Sequence, residues 1–172
     1  DFTPEMLRRA MQKAVRRGIA AIEFGAIADL RPIPATLIFA PGDALALPLP
    51  DNSVALASVA FGIRNVANLQ RGLSEMARVV RPGGKIVILE FTRPAGKLFG
   101  PLYLCYLRRM LPLLGRLFAL ASRDAYSYLP RSIDAFAGPE EMSAHMQAAG
   151  LKDVRAVALT FGTVHLYVGV KK

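Results

Sequence analysis

Four short stretches carry residues whose types could do chemistry. In "VAFGIRNVAN", Val59 to Asn68, an apolar run stops at Gly62 and Arg64 and Asn65 follow at once. A guanidinium beside an amide can hold an oxyanion or orient a hydroxyl. The same two side chains equally suit an ion pair with a carboxylate and a helix cap. "KIVILEF" closes on Glu90 and Phe91, with Thr92 next. A carboxylate ending so apolar a strand needs a partner if it is buried, either an arginine or backbone amides. Asp43 follows "TLIFA". It can accept from the exocyclic amine of an adenine while the Ala44 amide donates to a ring nitrogen, or it can simply make an Asx turn. Asp1 stands before the first helix with Phe2 beside it. A carboxylate there can accept both hydroxyls of a ribose, with Phe2 as an apolar neighbour for a base, or it can cap the helix. Two acidic residues at successive strand ends favour the nucleoside reading over either residue alone. His145 and His165 have neither metal-ligand spacing nor a neighbouring nucleophile, so both read as structural and no metal site is expected.

The elements that must position these residues follow from pattern. "DFTPEMLRRAMQKAVRRG" is a helix. Thr3 can cap it, Pro4 and Glu5 suit its first turn, and Gly18 can end it. Leu7, Ala10, Met11, Ala14 and Val15 form its apolar stripe. From Ile19 to Pro34 no clean period emerges. "TLIFA", "VALASVAFG" and "KIVILEF" read as buried strands, with "RPGG" turning the chain before the third. Between the last two, Asn65 or Asn68 can cap a helix through "LQRGLSEMARVV", with Leu69, Leu73, Met76, Ala77 and Val80 on one face. Gly62 permits a sharp turn or a close approach. Apolar strands without alternation predict a parallel sheet covered on both faces, and their alternation with helices predicts an open α/β sheet. "GPEEMSAHMQAAG" is a short helix, and "LKDVRAVALT" and "TVHLYVGVKK" are two strands whose short link makes them antiparallel. In such sheets ligands sit beyond the carboxyl ends of the strands, which is where Asp43, Arg64, Asn65 and Glu90 fall.

A chain of 172 residues, 53% hydrophobic and with mean hydropathy +0.32, suffices for one domain with a real core and excludes a disordered one. The net charge of +9 suits an anionic partner. No recognised nucleic-acid motif accompanies that charge, so nucleic-acid binding is not expected and a surface of anionic lipids fits better. Cys105 is the one cysteine; it rules out an internal disulfide and reads as a small core residue. The leucine-rich stretch "LFGPLYLCYLRRMLPLLGRLFALAS" carries Arg108, Arg109 and Arg116. Its uncharged part, Leu98 to Leu107, is far below the ~20 residues that span a bilayer. It reads either as a buried helical insertion or as a greasy lid over a lipophilic ligand or against a membrane.

"GDALALPLPDNS", "FGIRNV", "ARVVRPGGKIVILEFTRP", "YSYLPRSIDAF" and "LTFG" together resemble the UbiE-type C-methyltransferases of menaquinone and ubiquinone biosynthesis. The resemblance covers nearly the whole chain. It implies an α/β, Rossmann-like, class I fold dependent on S-adenosylmethionine (SAM), with a mostly parallel sheet and a C-terminal antiparallel hairpin. It implies one domain over residues 1–172 with a helical lid at about 94–136, expected to be cytoplasmic or peripheral at the inner face of the membrane. By resemblance, Asp1 holds the SAM ribose with Phe2 beside it, and Asp43 and Ala44 hold the adenine. Ala60 stands where the family usually has a serine near the methionine end, and Ala55 where an aspartate is common. Arg64 and Asn65 are placed beside the quinol ring, with Tyr126 and Tyr128 around the substrate. The family's first strand and glycine-rich loop precede Asp1 in the pattern, so the chain is expected to be N-terminally incomplete. The implied activity is methylation of a ring carbon of a demethylated quinol. The alternatives are an inactive fragment or subunit that binds quinone or membrane, and a methyltransferase for another lipophilic acceptor.

Overall fold

In the computed structural model, which describes residues 4–23, 36–94, 99–105, 109, 128 and 131–172, the opening helix α1 runs Pro4–Arg16. Glu5 in its first turn and Lys13 and Arg16 in its last complement the helix dipole. Leu7 and Met11 are half-buried and Ala14 is buried, but Ala10 and Val15 face solvent, so the stripe is narrower than its composition suggested. Gly18 ends the helix at φ +71°, with its amide donating to Val15 O at 2.9 Å.

Strand β1, Ala20–Glu23, pairs in parallel with β2, Thr36–Phe39. No period is legible at β1 because four mostly apolar residues are too few to display one. The strand expected at "TLIFA" is present, but it is not buried: Leu37 and Ile38 are 45% and 44% exposed. Among the described residues of this part of the chain, one helix packs on the two-stranded pair, and one helix cannot cover both of its faces. These elements form a first unit, Asp1–Pro48; the remainder, Leu49–Lys172, forms a second.

The second unit is built on a sheet ordered β3-β4-β6-β5, with β3 Val54–Ala60, β4 Val80–Phe91, β5 Leu151–Leu159 and β6 Val164–Lys171. β3 and β4 are parallel; β6 is antiparallel to both β4 and β5. The terminal antiparallel pair expected from the short link is therefore present, and it joins a parallel pair. β4 lies inside the sheet, and Ile86, Ile88 and Glu90 on it are wholly buried. Each such isoleucine contributes about 1.5–3 kcal/mol relative to exposure. β3, expected to be buried, is an outer strand of this sheet among the described residues, and Leu56 is 52% exposed.

"RPGG" does not turn the chain ahead of the strand; it bulges within β4. Val54 pairs with Val80 and Leu56 with Lys85, so two steps along β3 answer five along β4. Gly83 takes φ +75° inside this bulge. A Cβ on Gly84 would lie 2.7 Å from Ala55 O and 2.8 Å from Arg81 O, a space that admits glycine alone.

Helix α2, Leu69–Val79, is capped by Asn68, whose side chain accepts from Arg71 N at 2.9 Å. It packs against β3 and β4, and Leu73, Met76 and Ala77 on it are buried. Of the two asparagines that could cap it, Asn68 does so and Asn65 is left for another use. Helix α3 runs Phe99–Cys105, and α4 runs Pro139–Ala148 with Met142 and Met146 buried. His145 on α4 reaches Gln70 Oε1 on α2 at 2.9 Å, the structural role expected of it. Cys105 is exposed, which corrects its reading as a core residue: a leucine-rich neighbourhood does not decide which side of a helix a given residue occupies. Arg108, Arg116 and most of the expected lid lie outside the described residues. Among the described residues no helix is long and apolar enough to cross a membrane.

Candidate functional site

The parallel strands β3 and β4 end side by side. Ala60, exposed at the end of β3, is in register with Leu89, and the Phe61 amide still donates to Leu89 O at 2.8 Å. The chain then reverses, and the left-handed residue that reverses it is Phe61, at φ +54°, rather than Gly62, at φ −129°. That conformation costs a non-glycine residue roughly 1–2 kcal/mol. Packing of its ring on Phe91, with centroids 4.5 Å apart, offsets the cost. At Gly62 a Cβ would sit 3.2 Å from Val59 Cγ2, a tight contact that the valine side chain would have to yield to.

A 3₁₀ turn, Ile63–Asn65, follows and carries Arg64 back over the end of β4. Arg64 Nη1 donates to Glu90 Oε1 at 2.7 Å and to Phe61 O at 2.8 Å, and Nε donates to Ser132 Oγ at 3.3 Å. The other carboxylate oxygen of Glu90 accepts from the Arg64 backbone amide at 3.3 Å, and Phe91 N donates to Oε1 at 2.9 Å. The ion pair is buried on both sides, with 8% of the Arg64 side chain and none of Glu90 exposed. The guanidinium also lies 5.5 Å from the centre of the Phe91 ring. Glu90 thus has the arginine and amide partners that a buried carboxylate at this strand end requires.

Arg64 forms one wall of a cavity of about 360 Å³, with Tyr128, Arg131, Ser132, Ala135 and Phe136 forming the rest. The Tyr128 hydroxyl donates to Asn65 Oδ1 at 2.8 Å, so Asn65 bonds the cavity's tyrosine rather than capping α2. Ser132, Arg131 and Phe136 were not singled out from sequence, although Tyr128, Ser132 and Phe136 recur every four residues, a spacing that marks one helical face.

Behind the ion pair the same face of the sheet holds more polar groups. Thr92, 1% exposed, places Oγ1 2.6 Å from His165 Nδ1 and 3.1 Å from Gly162 O. With its hydroxyl hydrogen given to Gly162, it accepts from a protonated Nδ1. Burial lowers the pKa of His165. His165 stacks on Tyr167 at 5.9 Å. The Tyr167 hydroxyl is buried without a hydrogen-bond partner among the described residues, and burial, reinforced by the Glu90 carboxylate, pushes its pKa up to about 12.

In the first unit, Asp43 makes the Asx turn that was one of its two readings, with Oδ1 accepting from Leu45 N at 2.9 Å. Its second oxygen and the exposed Ala44 amide have no partner among the described residues. An acceptor next to a donor in this order matches the edge of an adenine, whose amine donates and whose ring nitrogen accepts. Asp1, Phe2 and Tyr126 lie outside the described residues.

The model of the ubiE/COQ5 methyltransferase family matches residues 1–171. The chain is 42% identical over 169 residues to a demethylmenaquinone methyltransferase of Thermus thermophilus, covering 98% of this chain and 69% of that protein. It is 41% identical over 172 residues to the enzyme of the same name from Deinococcus radiodurans, covering 100% of this chain and 64% of that one. To the ubiquinone/menaquinone biosynthesis C-methyltransferase UbiE of Geobacter sulfurreducens it is 44% identical over 126 residues, which is 73% of this chain and 48% of that protein. The chain therefore spans about two thirds or less of the length of most of these relatives. Among solved structures, a SAM-dependent methyltransferase from Aquifex aeolicus matches with a TM-score of 0.60 at 16% identity, covering 100% of this chain and 66% of that one. The [4+2]-cyclase SpnF matches at 0.62 and 14%, covering 99% and 65%. These likenesses show the class I methyltransferase fold.

Proposed function

The chain belongs to the ubiE/COQ5 methyltransferase family, and from that membership we propose that it serves the SAM-dependent methylation of a ring carbon of a demethylated quinol in menaquinone or ubiquinone biosynthesis. The observation that carries the assignment of the acceptor site is the Arg64–Glu90 pair. It closes the ends of two parallel strands beside a cavity walled by Tyr128 and Phe136. A flat, partly apolar ring with a hydroxyl fits such a wall.

SAM supplies an electrophilic methyl group on a sulfonium. On this reading Asp43 and the Ala44 amide hold its adenine, Asp1 and Phe2 its ribose and base, and Ala60 flanks its methionine end. Arg64 donates to the acceptor's oxygen and favours its ionised form, which makes the neighbouring ring carbon nucleophilic. Asn65, fixed by Tyr128, orients the ring, with Tyr126 and Tyr128 around it. Alignment of the carbon then supplies much of the acceleration. Arginine stays protonated and is not the base; the hydroxyl proton goes to water or to another group. The quinol's lipophilicity and the chain's net charge of +9 support peripheral contact with an anionic membrane surface on the cytoplasmic side.

The test is methylation of a panel of demethylated quinols by the wild-type protein and by Arg64→Ala. Loss of about 100-fold or more in turnover is expected, the scale of a removed oxyanion donor. Near-normal turnover removes Arg64 from the mechanism, and a preference for a non-quinol acceptor removes the substrate class.

A further inference from the structure

We infer that Glu90 is the positioning residue of the acceptor site, acting through Arg64; the inference rests on the acceptor reading above. Glu90 grips Arg64 at both ends: one oxygen takes the guanidinium at 2.7 Å and the other takes the backbone amide at 3.3 Å. Holding the main chain and the tip of one side chain together fixes the conformation between them. The donor count then becomes specific. A guanidinium has five N–H donors. The one on Nε goes to Ser132 and the two on Nη1 to Phe61 O and Glu90. Nη2 alone has no partner among the described residues, while Arg64 lines the cavity. Glu90 therefore decides which nitrogen remains for the acceptor's oxygen.

Glu90 also cancels the formal charge of Arg64 inside a buried pair. What Arg64 then offers is a directed hydrogen bond more than a net positive field, and directed bonds discriminate a correctly placed oxygen from a misplaced one. This arrangement makes an unusual demand. Removing the negative charge should weaken recognition of an anionic acceptor, although simple electrostatics would have it strengthen.

The probe is 4-nitro-1-naphthol, a bicyclic phenol whose ionised form is coloured, titrated spectroscopically against the protein without any methylation step. The expected result for Glu90→Gln is a loss of between about tenfold and a hundredfold in affinity for the naphtholate, the worth of a hydrogen bond to a charged group, with the pKa of the bound probe rising. Equal or tighter binding by Glu90→Gln overturns the inference while leaving the acceptor reading in place. A wild-type protein that binds naphtholate no better than neutral naphthol overturns both. Circular dichroism and the thermal midpoint establish that the variant is folded. Because an uncompensated buried guanidinium can unfold it, Glu90→Gln is also combined with Arg64→Gln. If Glu90 acts through Arg64, the double variant binds the probe as Arg64→Gln alone does, and any further loss shows that Glu90 acts by another route.

Discussion

The Arg64–Glu90 pair joins stability to chemistry at one residue. Glu90 is wholly buried and only 8% of the Arg64 side chain is exposed, so breaking the pair leaves a largely buried charge, at a cost of about 3–5 kcal/mol. Glu90→Ala is therefore expected to lower the unfolding free energy obtained from denaturant titration by that much, and a loss under about 1 kcal/mol would mean that the charge is hydrated. Tyr167 behaves oppositely. Its buried hydroxyl has no hydrogen-bond partner among the described residues, so Tyr167→Phe should be neutral or stabilising by about 1 kcal/mol. The phenol ionises near pH 10 in the unfolded chain and near 12 in the folded one. Between those values the unfolded chain releases a proton that the folded one keeps, so stability falls as pH rises. That part of the alkaline loss should vanish in Tyr167→Phe, and an unchanged alkaline limb in urea titrations would count against it. Glu90 needed a partner from its position alone, but Arg64 could be named only once two distant strand ends were seen side by side.

Among the elements, the longest recognisable motif, "RVVRPGGKIVILEFT", divides into parts with separate duties. Arg78 is structural: it bonds Glu75, Asp51 and Leu49 O, ties the end of α2 to the loop before β3, and has its pKa raised by those two carboxylates. Gly84 lets β3 pass, and Glu90 serves the site. Gly84→Ala would force a methyl group into backbone oxygens, and a destabilisation of about 1–3 kcal/mol is expected from its thermal midpoint. Asn68→Ala, which removes the cap of α2, should cost about 1 kcal/mol. If Asn68→Ala leaves stability unchanged, the cap is not holding the helix. Helix boundaries were legible because caps and glycines are local. The bulge in β4 was not, because it depends on which residues of β3 stand opposite.

Across the whole molecule, the net charge of +9 is the property that reaches furthest. Vesicles containing anionic lipid should retain the protein at low salt and release it at high salt, while neutral vesicles should retain little of it. Equal partition onto both vesicle types in sedimentation would remove electrostatic membrane contact.

The sequence by itself determined the family, the alternation of strands and helices, the antiparallel terminal pair, and the presence of Arg64, Asn65 and Glu90 at strand ends. The family follows from the resemblance of its motifs, and the rest from local spacing. Only the tertiary structure decided that Arg64 is already paired, that Phe61 and not Gly62 makes the reversal, that β3 is an outer strand among the described ones, and that Tyr128, Ser132 and Phe136 line the cavity. Each of these depends on contacts between residues far apart in the chain, such as Arg64 with Ser132 across 68 positions. Side-chain periodicity carries no information about such partners.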